Sequence, residues 1–317
     1  MAKIKISKLM SPSGANLHIH QCKAQGTTKG TAKGIVQINH GLCEHSARYI
    51  PFMEYLASKG YHTIAHDHRG HGLTEVDNLP KGQFAKHNGA SKVIKDVTFI
   101  NQMMRDEYPD LPIICFGHSM GGLIAANYAQ TLPHTIDGLA IWNSNLKASQ
   151  TNIFAQFTLG FEAFFIGSDV PSTMIAKMTF KKWSQSIEGA KTRFDWLTHD
   201  QDMIEMMLND QLNDWSPSIS MWQDIMTFIA KAAHPKSISN LPQNLPINLV
   251  AGGQDPATEN GSAMEWFTDL LEQSGHLNVD YQLYKDFRHE TLNEIGRENA
   301  MQDFVLWADK FVDTKIS

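Results

Sequence analysis

Cysteine is scarce in this chain. Three residues of 317 (Cys22, Cys43 and Cys115) cannot form a paired disulfide framework, and no two have the spacing of a metal-binding pair. Stapled secreted scaffolds and zinc ribbons are thereby set aside, and the sparse, odd count fits a reducing compartment. Cys115 lies within the apolar run Ile113–Phe116, where a buried, inert thiol is expected. Long hydrophobic runs are absent too. No stretch reaches the roughly 18 consecutive apolar residues of a membrane-spanning helix. The N-terminal MAKIKISKLMSPSG lacks the apolar segment of a signal peptide. A cytoplasmic location follows as the default expectation. Positive charge is not in excess: 27 Lys and Arg stand against 33 Asp and Glu, a net charge of −6, which gives no reason to expect nucleic-acid binding. The basic runs at Lys3–Lys8 and Lys181–Lys182 read as solvated surface. No G-x-G-x-x-G follows an early strand, which disfavours a dinucleotide-dependent oxidoreductase. Internal repeats and low-complexity segments are also missing.

The chain does hold an ordinary globular composition, 42% hydrophobic and 19% charged, at a length that can bury a core without staples. Lys3–Lys8 and Leu17–Cys22 alternate apolar and polar residues around the Ser11–Asn16 turn cluster and read as a hairpin, and Gly26–Gly34 is a turn-rich break. Strands are then expected at Ile35–Asn39, Tyr61–His66, Ile113–Phe116 and Ile136–Trp142. Helices are expected at Arg48–Lys59, Ser91–Tyr108 and Met120–Leu132. This alternation predicts an α/β fold with a mostly parallel sheet flanked by helices. The rhythm stops after Asn143. It resumes with strands at Pro246–Ala251 and Asn278–Tyr284 and helices at Ser262–Ser274 and Asn299–Val312. The simplest organisation is one α/β core, residues 1–145 and 241–317, interrupted by a helical insertion at 146–240.

Gly117-His118-Ser119-Met120-Gly121 fits G-x-S-x-G. Alone the pentapeptide is weak, but here it follows an apolar strand and opens a helix, the context of a nucleophile elbow. A serine hydroxyl needs a positioned base to take its proton, and on such a fold the acid and then the histidine follow in chain order. Asp255, in the loop after the strand ending Leu249-Val250-Ala251, is the candidate acid. Asp286 ranks below it because it shares a loop with the histidine. His289 is the candidate base, since it follows the last strand and precedes the last helix. His276 precedes that strand and is expected at the surface. Oxyanion donors are expected from the backbone N–H groups of Met120 and of Leu42, the latter in Asn39-His40-Gly41-Leu42 after the first parallel strand. His66-Asp67-His68-Arg69-Gly70-His71 is rich in ligand types but has poor zinc spacing, so no metal is expected, and no cofactor.

Together these segments resemble the monoacylglycerol lipase/lysophospholipase branch of the α/β-hydrolase fold. They are His40-Gly41-Leu42-Cys43-Glu44-His45 with Arg48-Tyr49, Asp67-His68-Arg69-Gly70-His71-Gly72, GHSMGG at 117–122, Gly252–Pro256, and Arg288-His289-Glu290 with Asn293-Glu294. The resemblance covers roughly residues 10–315. It implies a triad of Ser119, Asp255 and His289, oxyanion donors from Leu42 and Met120, and loop-bracing roles for Glu44, His45, Asp67, Arg69 and His71. It also implies a serine esterase or lipase acting on monoacyl lipids through an acyl-enzyme. A short-chain carboxylesterase, or an amidase or peptidase, is the alternative on the same triad. A non-catalytic binding scaffold is the least favoured reading. Two departures stand out: Cys43 where glycine is common, an expected point of sensitivity to thiol reagents, and Thr74 where serine is usual.

The insertion at 146–240 would cap the site. It holds 7 of 15 methionines, 4 of 7 tryptophans and 8 of 16 phenylalanines. The Phe154, Phe157, Phe161, Phe164 and Phe165 cluster exceeds what one buried helix face needs, so Phe154, Phe157 and Phe161 are expected to bind an acyl chain. The expected partner is a small-molecule lipid or ester, with peripheral membrane contact through cap aromatics as a further expectation. No motif encodes an oligomeric state.

Overall fold

The computed structural model describes residues 3–26, 32–147 and 150–316. Its strands are β1 (Ile4–Met10), β2 (Ala15–Cys22), β3 (Gly34–Asn39), β4 (Tyr61–His66), β5 (Glu75–Val76), β6 (Ile113–His118), β7 (Gly138–Trp142), β8 (Ile247–Gly252) and β9 (Val279–Tyr284). They form one sheet in the order β1-β2-β4-β3-β6-β7-β8-β9, with β5 pairing β2. The opening hairpin joins β4 antiparallel, and from β4 onward every pairing is parallel. The expected strands are all present within a few residues. Every residue of β3, β6, β7 and β8 is buried, as predominantly apolar strands in a sheet covered on both faces require.

Five helices cover the sheet: α1 (Ile50–Ser58), α2 (Gly89–Glu107), α3 (Met120–Thr131), α10 (Ser262–Gln273) and α11 (Arg297–Ile316). On one face, Phe52 and Met53 of α1 and Phe304 and Trp307 of α11 pack with Phe116 and Trp142 of the sheet. On the other, Val93 and Val97 of α2, Ile124 and Tyr128 of α3 and Phe267 of α10 pack over Cys115, Leu139 and Leu249. The helix expected at 48–59 begins two residues late, after a 3-10 turn at Ser46–Tyr49, because Pro51 fits only the first turn of an α-helix.

Among the described residues between β7 and β8 the named elements are helical: α4 (Gln150–Ile166), α5 (Thr173–Ala176), α6 (Lys182–Gln185), α7 (Gln201–Asn209), α8 (Ile219–Ala232) and α9 (Pro235–Ile238). The segment is tied to the sheet layer through α3. Asn127 donates to the Phe228 carbonyl at 2.9 Å and Gln130 to that of Ala232 at 2.7 Å. No helix among the described residues is long and apolar enough to cross a membrane. Much of the turn-rich break at 26–34 lies outside the described residues.

Candidate active site

Strand β6 ends at His118, and α3 starts at Met120, leaving Ser119 alone on the turn between them. Its backbone sits at φ 54°, ψ −121°, a conformation that side chains resist. Tight packing explains the glycines around it. A Cβ on Gly117 would lie 2.1 Å from the Gly121 carbonyl oxygen, and one on Gly121 would lie 2.0 Å from that of Asn39. The turn is held by the Ser119 N–H donating to Trp142 at 2.9 Å and by the Ser144 hydroxyl donating to the Ser119 carbonyl.

The three residues expected to meet do so, although 136 and 34 positions separate them in the chain. His289 Nε2 is 2.9 Å from Ser119 Oγ, and His289 Nδ1 is 2.9 Å from Asp255 Oδ2. A carboxylate only accepts, so Nδ1–H donates to Asp255 and Nε2 is left to accept the serine hydroxyl proton. Asp255 is fully buried and also receives the Ala257 amide at 2.9 Å, the Thr258 hydroxyl at 2.9 Å and the Asn143 amide at 3.3 Å. Burial works to raise its pKa. The His289 charge and hydrogen bond, with the Ala257 and Thr258 donors, outweigh that and hold the carboxyl below its ordinary range. The Trp196 ring covers His289 at 4.8 Å between centroids. Asp286 is exposed, which removes it as the rival acid.

Leu42 and Met120 both line the cavity that contains Ser119, and neither backbone N–H has a hydrogen-bond acceptor among the described residues. Two free amides beside the candidate nucleophile are what a developing oxyanion would need. Gly41 permits the approach, since a Cβ there would lie 2.6 Å from Glu44 Oε1 and 3.3 Å from Ser119 Cβ.

Around this centre the loops are cross-braced. Glu44 accepts from the Gly41 amide, from Tyr49 at 2.8 Å and from Arg48 at 3.1 Å, and Arg48 also grips both oxygens of Glu290. Asp67 receives the Ser46 and Leu73 amides at 2.8 and 2.7 Å, and His45 Nε2 reaches Asp210 of the helical segment at 2.6 Å. His71 meets the Arg69 carbonyl at 3.2 Å. His66, His68 and His71 are buried, and burial pulls them down, His66 to about 4 and His71 to about 3. No group of three or more ligand-type side chains among the described residues is placed to hold a metal.

Arg69 and Asp96 form a buried ion pair at 2.7 Å, with further guanidinium bonds to the Phe84 carbonyl and to Ser13. Breaking one half strands a charge in the interior. Arg69→Ala should therefore lower the unfolding free energy by about 3–5 kcal/mol in urea titration. A loss under about 1 kcal/mol, typical of surface pairs, would contradict the bracing role.

Several expectations need correction. Phe157 and Phe161 are 75% and 65% exposed and do not line the cavity. The Phe154 side chain lies outside the described residues. Helix α4 buries Ala155, Thr158, Leu159 and Glu162, the last accepting from Ser172, and so turns Phe157, Phe161, Phe164 and Phe165 outward. The cavity, about 860 Å³, is instead walled by all four tryptophans of the insertion, Trp183, Trp196, Trp215 and Trp222, with Phe180, Ile225 and Met226. His276 is buried, not at the surface. Cys43 does line the cavity, at φ 57°, which accounts for glycine being common there. Burial pushes its thiol up, which lowers the fraction of reactive thiolate. Two residues that carried no motif signal also belong to the site. Asn143, at φ 50°, joins Asp255 to Thr291 of the loop that carries His289, and Ser144 clamps the elbow. The only sequence hint of them was their place at the end of β7, where the strand–helix rhythm breaks off.

A sheet wound in this order, with a serine raised on the turn behind a central strand, is the architecture of the α/β-hydrolases. The chain belongs to one family within that fold: residues 30–296 match the family described as serine aminopeptidase, S33. It is similar to human monoglyceride lipase, 34% identical over 112 residues, a match that covers 35% of each chain. It is also similar to the phospholipase YtpA of Bacillus subtilis, 23% identical over 88% of this chain and 96% of that one. The chain thus spans about a third of the length of the human relative and nearly all of the bacterial one. Among solved structures it resembles a thermostable carboxyl esterase from Bacillus coagulans in complex with glycerol. That likeness has a TM-score of 0.88 at 25% identity and covers 98% of this chain and 99% of the other.

Proposed function

We propose that the protein hydrolyses carboxylic esters of monoacyl lipids by double displacement. His289 takes the Ser119 proton as Oγ attacks the ester carbonyl, while the Leu42 and Met120 amides hold the oxyanion. The same imidazole protonates the leaving alcohol, then activates the water that releases the fatty acid from the acyl-enzyme. Asp255 orients the ring and balances the transient imidazolium. The helical segment acts as a cap over this site. No cofactor takes part in these steps.

The observation that carries the lipid reading is the cavity itself. Its volume, about 860 Å³, falls within the roughly 300–1,000 Å³ of small-molecule sites, and tryptophan, phenylalanine, leucine, isoleucine and methionine side chains make up much of the wall around Ser119. The names of the similar proteins support it as well. An aminopeptidase reading, suggested by the family description, needs a free carboxylate for the substrate ammonium. Of the carboxylates lining the cavity, Glu44 and Glu290 are bound to Arg48, and Asp214 is paired with Arg193 at 3.4 Å. Lys177 and Lys181 line the same cavity and would repel a cation.

Each buried methylene is worth roughly 0.8 kcal/mol. A decanoyl ester should therefore surpass the butyryl ester in kcat/KM by at least about tenfold, with amino-acid anilides cleaved far more slowly. Activity confined to acetyl and butyryl esters would overturn the lipid assignment. Phe157, Phe161, Phe164 and Phe165 recur at helical spacing on the exposed side of α4 and are read as a contact to the lipid surface. Replacing Phe161 and Phe165 with serine should cut turnover of vesicle-borne substrate several-fold and leave a soluble ester unaffected. Equal rates on vesicles would remove that contact.

A further inference from the structure

His118 sits inside the elbow, is buried, and is not among the three residues that the proposed chemistry uses. Its Nε2 lies 2.9 Å from the backbone carbonyl oxygen of His289, and its Nδ1 lies 3.4 Å from Glu44 Oε1. A carbonyl oxygen only accepts. Glu44 receives the Gly41 amide, the Tyr49 hydroxyl and the Arg48 guanidinium, three donors that keep it an ionised acceptor. A neutral imidazole has one N–H and one lone pair, so it would press that lone pair against an oxygen at one end.

We infer that His118 is a positioning residue held as an imidazolium, its Nε2–H donating to the His289 carbonyl of the base loop and its Nδ1–H to the Glu44 carboxylate that also receives the oxyanion-loop amide of Gly41. The inference rests on the serine-hydrolase reading of this site. It adds a physical coupling between its two halves: the loop bearing the general base and the loop bearing the Leu42 amide are held by one protonated ring. The groups facing His118 are consistent with that charge. Glu44 and Glu290 approach from different loops, Arg48 lies between those two carboxylates, and the Tyr49 and His289 rings stand 6.4 and 5.0 Å away. Burial opposes the charge, but the Glu44 hydrogen bond and charge, the His289 carbonyl and Glu290 outweigh it and raise the pKa of the ring. A raised value means that the stabilisation is complete below about pH 6.5, the ordinary histidine value, and is lost as pH climbs through the folded value. Activity should then carry an alkaline limb that belongs to His118.

The direct test is nitrogen-15 NMR of the ring in the wild-type protein at neutral pH, with the signal assigned by its loss in His118→Gln. Two protonated nitrogens are expected, and one bare nitrogen would overturn the inference. In kinetics, His118→Gln keeps a donor but no titration. It should lower kcat roughly ten- to hundredfold through misplacement and abolish the alkaline limb. Glu44→Gln should move that limb to lower pH by about one unit. An unchanged limb in both variants would overturn the inference even if the enzyme remains a serine esterase. Absence of turnover and of fluorophosphonate labelling in the wild type would instead sink the underlying reading, and the ring's protonation would still be measured independently. Should His118→Gln fail to fold, assignment by selective histidine labelling of the wild type and the Glu44→Gln profile still decide the matter.

Discussion

Replacing Ser119 with alanine is expected to reduce ester turnover about a million-fold, the scale on which losing the nucleophile of a preorganised triad acts. The loss should fall almost entirely on kcat. The cavity walls and the Leu42 and Met120 amides remain, so KM or inhibitor affinity should change little. Residual rate above water should come from the oxyanion donors and binding alone. Stability should be untouched, because the only described partner of the serine hydroxyl is His289 Nε2, and the contacts that hold the turn, from Trp142 and Ser144, are made to the backbone of residue 119. Thermal unfolding of the variant alongside single-turnover kinetics checks both halves. A variant that keeps its melting temperature and activity within tenfold of wild type would show that another group attacks.

The second large effect is expected from Asp255→Asn. Geometry would barely change, but the asparagine can place an N–H toward His289 Nδ1 where the carboxylate accepted one. The imidazole then shifts its proton to Nε2, which can no longer accept from Ser119 Oγ. A fall in kcat of about 10⁴ is expected from the wrong tautomer alone. The same substitution should alter acid stability. The Asp255 carboxyl is depressed in the folded protein, so its contribution is present above the unfolded value, near pH 4, and disappears as pH falls through the folded value. Asp255→Asn should be less stable than wild type at neutral pH and converge on it in acid. Equal pH dependence of the two proteins in urea titrations, or a kcat loss below tenfold, would contradict the assigned role.

The parts of this architecture that were legible before any coordinates share a physical reason. β3, β6, β7 and β8 are buried on both faces, so they read as predominantly apolar runs, and the turns around Ser119 tolerate only glycine at 117 and 121. Asp255 and His289 were legible because strand-to-loop junctions mark the rim of such a sheet. The insertion resisted reading because its pattern runs against the usual rule. α4 turns Glu162 inward to Ser172 and Phe157 and Phe161 outward, and periodicity shows a stripe without saying what covers it. The cavity's tryptophans lie on separate segments, Trp183 on α6, Trp222 on α8 and Trp196 and Trp215 between helices, with no common spacing to reveal that they converge. Asn143 and His118 act through hydrogen bonds made across the sheet rim, over separations of 112 and 171 residues. His276 is buried by packing that no local pattern announces.

Mapping a fluorophosphonate adduct on the native protein by peptide mass spectrometry bears most directly on whether Ser119 is the group that attacks. A single phosphonyl group on the peptide containing Gly117–Gly121, localised to Ser119 and prevented by prior acid inactivation, is the expected result. Modification of any other residue with Ser119 unlabelled, or no adduct on an enzyme that still turns over ester, would contradict it.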